Sequence, residues 1–203
     1  QAGYTMTADY NGYRQEGFGS ADMTVWKGRR WSTANAYLKP AIKKGKVRLF
    51  TRTLADRILF EGRCAVGLRV WRKGKYQDII AQKAVILSAG AIASPAILQR
   101  SGIGCADTLQ GFGIEAIANR KGVGENLQDH LEVYFQIACR KPITLYKHLN
   151  PVSKAFIAAQ WLFFKSGLGA SNHFETLGFI RSDKKIPYPD IQYHLLPVAI
   201  RYD

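Results

Sequence analysis

Residues 84–90, AVILSAG, limit most sharply what this chain can fold into. The run is continuously apolar and then closes on small residues. A half-exposed strand alternates apolar and polar side chains; this one does not. An unalternating run suits a parallel strand buried on both faces. Ser94 and Pro95 follow, and serine at an N-cap with proline at the first helical position predicts a helix start. PAILQRSG then reads as a short helix that Gly102 ends.

Upstream the texture differs. VRLFT, ADRILFEG, AVGLRVWRKG and YQDIIAQK read as four strands with turns near Glu61-Gly62 and Lys73-Gly74. Leu68-Arg69-Val70-Trp71-Arg72 alternates as a half-exposed antiparallel strand should. A meander feeding a buried strand and then a helix predicts an α/β domain with a small antiparallel insert.

The flanking segments complete the plan. The first residues are a polar, Gly- and Tyr-rich loop. GRRWSTANAYLKPAIKKG predicts a helix capped by Ser32 or Thr33 and ended or kinked at Pro40. After Gly104 come a short helix, a strand (GIEAIAN) and a Gly-rich loop. From Leu131 the pattern LEVYFQIACRKPITLY is alternating and β-like, followed by a helix and two strands, FETLGFIRS and PDIQYHLLPVAI. The expected division is 1–27, 28–130 and 131–203. The fold class is α/β, in the mixed α+β sense. No internal repeat or low-complexity tract is present.

The formal net charge is +14, which first suggests nucleic acid. The cations are scattered over loop tips and helix ends, no nucleic-acid motif accompanies them, and the reading is a solvated surface with no nucleic-acid partner. Cys64, Cys105 and Cys139 are odd in number and widely spaced, so they predict buried or half-buried thiols in a reducing compartment. No apolar window reaches the length of a membrane span. The nearest, AFIAAQWLFF between Lys154 and Lys165, predicts an amphipathic helix buried on one side, with a membrane-surface contact as the alternative. The opening lacks methionine and any charged-then-apolar leader, and predicts an internal piece of a longer protein.

Several chemistries are disfavoured. His130, His148, His173 and His194 are never three or four residues apart, so no metal site is expected. GASNH around Ser171 lacks the second glycine of a nucleophile elbow. GIGCAD and GVGENL each lack the third glycine of a dinucleotide fingerprint. The corner at Ala89-Gly90-Ala91 remains. Small residues permit close backbone approach, and a helix start offers free N–H groups to a ligand. A packed corner without a ligand fits the same residues equally well.

GAIASPAILQRSGIG resembles the second signature of the glucose–methanol–choline oxidoreductases: a glycine and small residue, Ser-Pro, two aliphatics, then Ser-Gly-aliphatic-Gly. Gly90, Ala91, Ser94, Pro95, Ile97, Leu98, Ser101, Gly102, Ile103 and Gly104 fill every position. NGYRQEGFG, GRRWSTANAYL, GVGENLQDHLE and PDIQYHLLPVAI extend the similarity, in particular to choline-oxidising members.

The resemblance implies part of an FAD-binding Rossmann-like domain with an antiparallel meander insert, joined to part of an antiparallel-sheet substrate domain. It implies that the backbone of Ala55 faces the adenine of FAD, and that Ala89 and Gly90 lie close to the dinucleotide. Glu132, two residues after Asp129-His130, would face a trimethylammonium group, which has no N–H and is recognised by charge and aromatic faces. Tyr134, Phe135 and Trp161 are possible sources of such faces. His194 would line the active site and hydrogen-bond the substrate's alkoxide; a satisfied core histidine is the alternative. His130 is expected to be structural.

The implied reaction is oxidation of an alcohol, choline foremost, to an aldehyde, with a quinone chain or oxygen as electron acceptor. Another, neutral alcohol is the alternative substrate, and a non-catalytic binding protein on the same fold is the alternative class. The implied location is cytoplasmic, or peripheral on a bacterial inner or a mitochondrial inner membrane. The family's main catalytic histidine and its pyrophosphate-binding loop match nothing in these residues, so the chain alone is expected to be inactive.

Overall fold

A computed structural model describes residues 3–199; Gln1, Ala2 and the end of the 131–203 segment from Ile200 lie outside the described residues. The chain divides into two compact units. One joins Gln1–Val47 to Tyr134–Asp203, and the other is Arg48–Val133.

In the Arg48–Val133 unit the meander is as expected in kind and shifted in place. Strands β4 (Thr53–Glu61), β5 (Cys64–Arg72) and β6 (Lys75–Ile80) form an antiparallel sheet in the order β4-β5-β6. Gly62 and Gly74, both at positive φ, make the two turns. Arg69 and Asp78 face each other across β5 and β6 in a two-pronged ion pair of 2.8 and 2.9 Å. VRLFT is not a strand. Arg52 sits at φ 51°, and that left-handed residue turns the chain just before β4 begins.

Helix α2 (Gly90–Arg100) packs on β4 and leads into β7 (Ile103–Gly104), α3 (Ala106–Gly111) and β8 (Ala118–Asn119), which pairs parallel to β7. The core is Ile58, Val70, Ile97 and Leu109. The apolar run before α2 corrects the expectation of a buried parallel strand. It carries no strand pairing, and Ile86 is 87% exposed. A parallel strand needs hydrogen-bonding neighbours, and no described segment pairs with it. The expected strand GIEAIAN shrinks to Ala118–Asn119.

The other unit holds a second antiparallel sheet, β1-β9-β10, from Gly17–Ser20, Thr176–Ile180 and Ile191–Leu195. Gly178, central in β9, faces Phe18 and Tyr193 across the register. The two rings lie 6.0 Å apart, and a β-carbon on Gly178 would overlap Phe18. A small hairpin, β2 (Val25–Trp26) with β3 (Arg29–Arg30), precedes a helix wound in π register over Ala34–Leu38 and in α register over Lys39–Lys43, which is α1. Pro40 cannot donate to the carbonyl of Ala36, and the π turn lies just upstream of it. Thr33 is the N-cap residue but makes no side-chain cap bond; Ser32 serves through its carbonyl, which accepts from Asn35 and Ala36.

Helix α4 (Pro151–Phe164) is capped by Asn150, whose side chain accepts from the Ser153 N–H at 2.8 Å. It is a helix, as expected, but no residue of it is fully buried. Residues 125–139 carry neither helix nor strand, although Leu131, Val133, Phe135 and Ile137 alternate as a strand would. All four are exposed, because no described strand lies beside them. Cys64 and Cys139 are also exposed and only Cys105 is half-buried, which corrects the expectation of buried thiols.

Candidate functional site

The corner around α2 is built from two halves with different physics. Its C-terminal half is structural. Ser101 is 5% exposed; its hydroxyl donates to the Ile97 carbonyl at 2.6 Å and accepts from the Ile58 N–H at 2.8 Å. That pair fastens α2 to β4. Gly102 has φ 82°, and a β-carbon there would lie 2.5 Å from the Glu115 carbonyl oxygen. The Gly102 carbonyl in turn accepts from Ile117 and Ala118. Gln99 donates to the Val123 carbonyl at 3.1 Å, and a β-carbon on Gly124 would press on its amide. Gly124, the second glycine of GVGENL, therefore admits a glutamine side chain.

The N-terminal half is open. The helix begins at Gly90, not at Ser94-Pro95, and Pro95 lies inside it. Ser94 works backwards: its hydroxyl accepts from the Ala89 N–H at 2.9 Å. Gly90 has φ 87° and nothing within 4 Å of a notional β-carbon, so the glycine is required by conformation and its surroundings are free. The first N–H groups of α2 have no partner within the helix.

Ala55 lies near the other end of α2. It stands beside a bulge at Asp56 on β4, the edge strand of its sheet. Arg100 donates to the Asp56 carbonyl at 2.9 Å and to the Ala55 carbonyl at 3.4 Å. Ala55 and the Ala89-Gly90 pair are thus separated by the length of α2, roughly 15 Å for ten residues. They do not converge on a point. An exposed backbone corner at one station and a half-buried edge strand at the other fit a long ligand held by main-chain groups.

Glu132 lies on the exposed segment that closes the Arg48–Val133 unit. His194 belongs to the other unit. It is exposed on β10, opposite Leu177, with its ring edge-on to Phe174 at 5.8 Å. His194 is not buried among the described residues. His173, next to Phe174, has φ 66°, and its buried Nδ1 has no partner among the described residues. Its backbone N–H donates to Ser171 at 2.9 Å. The sequence singled out Ser101 only as a signature position and gave Gln99 and Arg100 no role; their polar side chains at the end of an apolar helix were the available signal. Among the described residues no group of three His, Cys, Asp or Glu could hold a metal ion.

Within each unit several ionisable groups are shifted by local partners. Arg181 holds the Glu16 carboxyl below its ordinary value through hydrogen bonds of 3.1 and 3.0 Å. The Ser182 hydroxyl and N–H do the same for Asp190. The Cys105 thiol is lowered chiefly by the backbone N–H and the side chain of Thr108.

Residues 1–132 match the GMC oxidoreductase family. The chain belongs to that family. Its whole length is 56% identical to an oxygen-dependent choline dehydrogenase of Brucella anthropi, covering 37% of that protein. It is 53% identical to a protein of the same description from Pectobacterium carotovorum, over all of this chain and 36% of that one. The chain thus spans little more than a third of the curated relatives it matches. Among solved structures it resembles an Aspergillus oryzae formate oxidase studied for FAD modification. That match has a TM-score of 0.75 and 22% identity, and covers 87% of this chain and 31% of the other. This GMC chain therefore has the mixed α/β fold of its flavoenzyme neighbours, with antiparallel sheets in both units.

Proposed function

We propose that this GMC chain is part of an FAD-dependent enzyme that oxidises choline to its aldehyde. The observation that carries the reading is the unbroken 56% identity, over all 203 residues, to a protein described as an oxygen-dependent choline dehydrogenase. A stretch that kept only the fold would not be expected to retain that level of identity over its whole length.

The residues fit the cofactor in chemical type. Main-chain groups of Ala89 and Gly90, in an exposed corner where Gly90 has open space around it, suit close approach by the dinucleotide. The backbone of Ala55, on an edge strand, suits a base edge. When bound, FAD supplies the hydride acceptor. Glu132 places a carboxylate against the substrate's quaternary ammonium, where a hydrogen-bond donor would have nothing to meet. His194 donates a hydrogen bond to the oxygen as its proton leaves, so that the developing alkoxide is stabilised more than the neutral alcohol. The proton-abstracting base is assigned to none of these residues. The electron acceptor is oxygen or a quinone chain.

Replacing Glu132 tests the substrate. In the gene product at its full natural length, Glu132→Gln lowers kcat/KM for choline by roughly tenfold or more, the loss of about 1.4 kcal/mol of cation binding, and leaves an uncharged alcohol nearly unchanged. Equal losses on both would favour a neutral alcohol as the substrate.

A further inference from the structure

His173 carries two unfavourable features at once. Its backbone is left-handed, at φ 66°, and its buried Nδ1 has no hydrogen-bond partner among the described residues. Lys27 and Lys73 adopt the same backbone conformation in hairpin turns and Lys165 adopts it at a helix C-cap, where it is ordinary. Among the described residues, no other buried side-chain nitrogen or oxygen is left without a partner. Both features are costly, and a folded chain keeps them where surrounding contacts impose them.

Those contacts start at Met23. Its sulfur accepts from the Ser171 hydroxyl at 3.6 Å and from the Asn172 N–H at 3.5 Å. Ser171 Oγ in turn accepts from the His173 N–H at 2.9 Å, and Asn172 Oδ1 accepts from the Phe174 N–H at 3.1 Å. Sulfur is a weak acceptor, but two donors from one turn converge on it. Just beyond, the Ala21 N–H donates to the Glu175 carbonyl at 3.2 Å, so the segment after β1 grips this turn at two points. Met23, the turn and His194 belong to one compact unit.

The turn delivers the Phe174 ring. It meets the His194 ring edge-on, with centroids 5.8 Å apart and planes at 80°. An exposed imidazole on a strand rotates about two side-chain bonds unless a neighbour selects one orientation, and an edge-to-face partner selects one.

We infer that Phe174 is a positioning residue for His194. The strained turn, anchored on Met23, holds the phenyl ring against the imidazole and fixes the plane in which His194 donates to the substrate oxygen. The inference rests on the reading of His194 as the group that stabilises the alkoxide. Phe174 acts through His194 and independently of substrate charge, which separates it from an aromatic face for the trimethylammonium.

Stopped-flow flavin reduction in the full-length, FAD-loaded protein tests both levels. His194→Ala is expected to slow reduction by choline roughly a hundredfold. An unchanged rate there would sink the reading of His194 and the inference with it. Phe174→Leu is expected to slow reduction about tenfold, as loss of an edge-to-face pair allows, with half-saturation by choline little changed. Choline's uncharged carbon isostere should lose the same factor. Phe174→Tyr keeps the ring and restores most of the rate. The Phe174→Leu/His194→Ala double variant is no slower than His194→Ala alone. Additive losses, a loss confined to choline, no recovery in Phe174→Tyr, or an undiminished rate in Phe174→Leu would overturn the inference and leave the reading of His194 standing. Where Phe174→Leu fails to hold flavin, Met23→Leu carries the test, since it keeps the bulk and removes the acceptor. A loss of roughly threefold that vanishes in the His194→Ala background is expected, and an unchanged rate overturns the inference.

Discussion

At the scale of single residues, the signature's conserved-looking small and polar positions separate into two kinds. Ser101 completes a hydrogen-bond chain inside the core, so Ser101→Ala leaves the Ile58 N–H without its acceptor. A loss of about 1–3 kcal/mol in chemical denaturation is expected, and an unchanged midpoint would show that water replaces the hydroxyl. Gly102 and Gly90 both have positive φ, yet only Gly102 is also crowded. Gly102→Ala is therefore expected to destabilise more than Gly90→Ala, whose cost is the left-handed conformation alone, about 1–2 kcal/mol. Gly90→Ala should instead be felt in FAD affinity, measured by flavin release. The Glu16 carboxyl, held low by Arg181, gives a pH prediction. A carboxyl lowered in the folded state stabilises above its unfolded pKa, and that contribution is lost as pH falls through the folded value. Glu16→Gln should thus reduce stability at neutral pH and flatten its decline below the ordinary glutamate range, as read from denaturation midpoints against pH.

At the scale of elements, the sequence was most readable where neighbours in the chain are also neighbours in space. The β4-β5-β6 meander, β9, β10 and α4 each follow from local alternation, turn glycines or a cap. The failures share a cause. Residues 84–88 and 131–137 have strand patterns, and neither is part of a strand among the described residues. Periodicity states which face a segment wants to bury; it does not supply the partner. The start of α2 failed differently. Ser94 and Pro95 look like a cap and first turn, but Gly90 lets the helix begin earlier, and Ser94 turns back to the Ala89 N–H. Of the candidate site, Gly90 was legible as a backbone turn, because its positive φ at the start of α2 favours glycine. Arg100 was not, because an arginine ending a helix usually meets only solvent.

At the scale of the whole molecule, few side chains are fully buried. The accessible surface is 16894 Å², against roughly 9,500 Å² for a compact monomer of this mass. A chain that spans 37% of a relative's length and leaves this much surface uncovered is expected to unfold with little cooperativity when expressed alone, and cooperatively within the full-length protein. Calorimetry on both forms compares them. The +14 charge opposes a cationic substrate at long range, but screening confines that field to about 10 Å at ordinary salt, and a carboxylate at contact outweighs it. On the proposed reading, recognition of choline would thus rest on Glu132 and its immediate surroundings.

A choline-oxidising flavin site is proposed to include residues of this chain. Anaerobic mixing of the full-length, FAD-loaded protein with choline, compared with its uncharged carbon isostere, tests it most directly. Rapid loss of the oxidised-flavin absorbance is expected with choline, and reduction slower by an order of magnitude or more with the isostere. A protein that binds no flavin, or a flavin that both alcohols reduce equally fast, would contradict it.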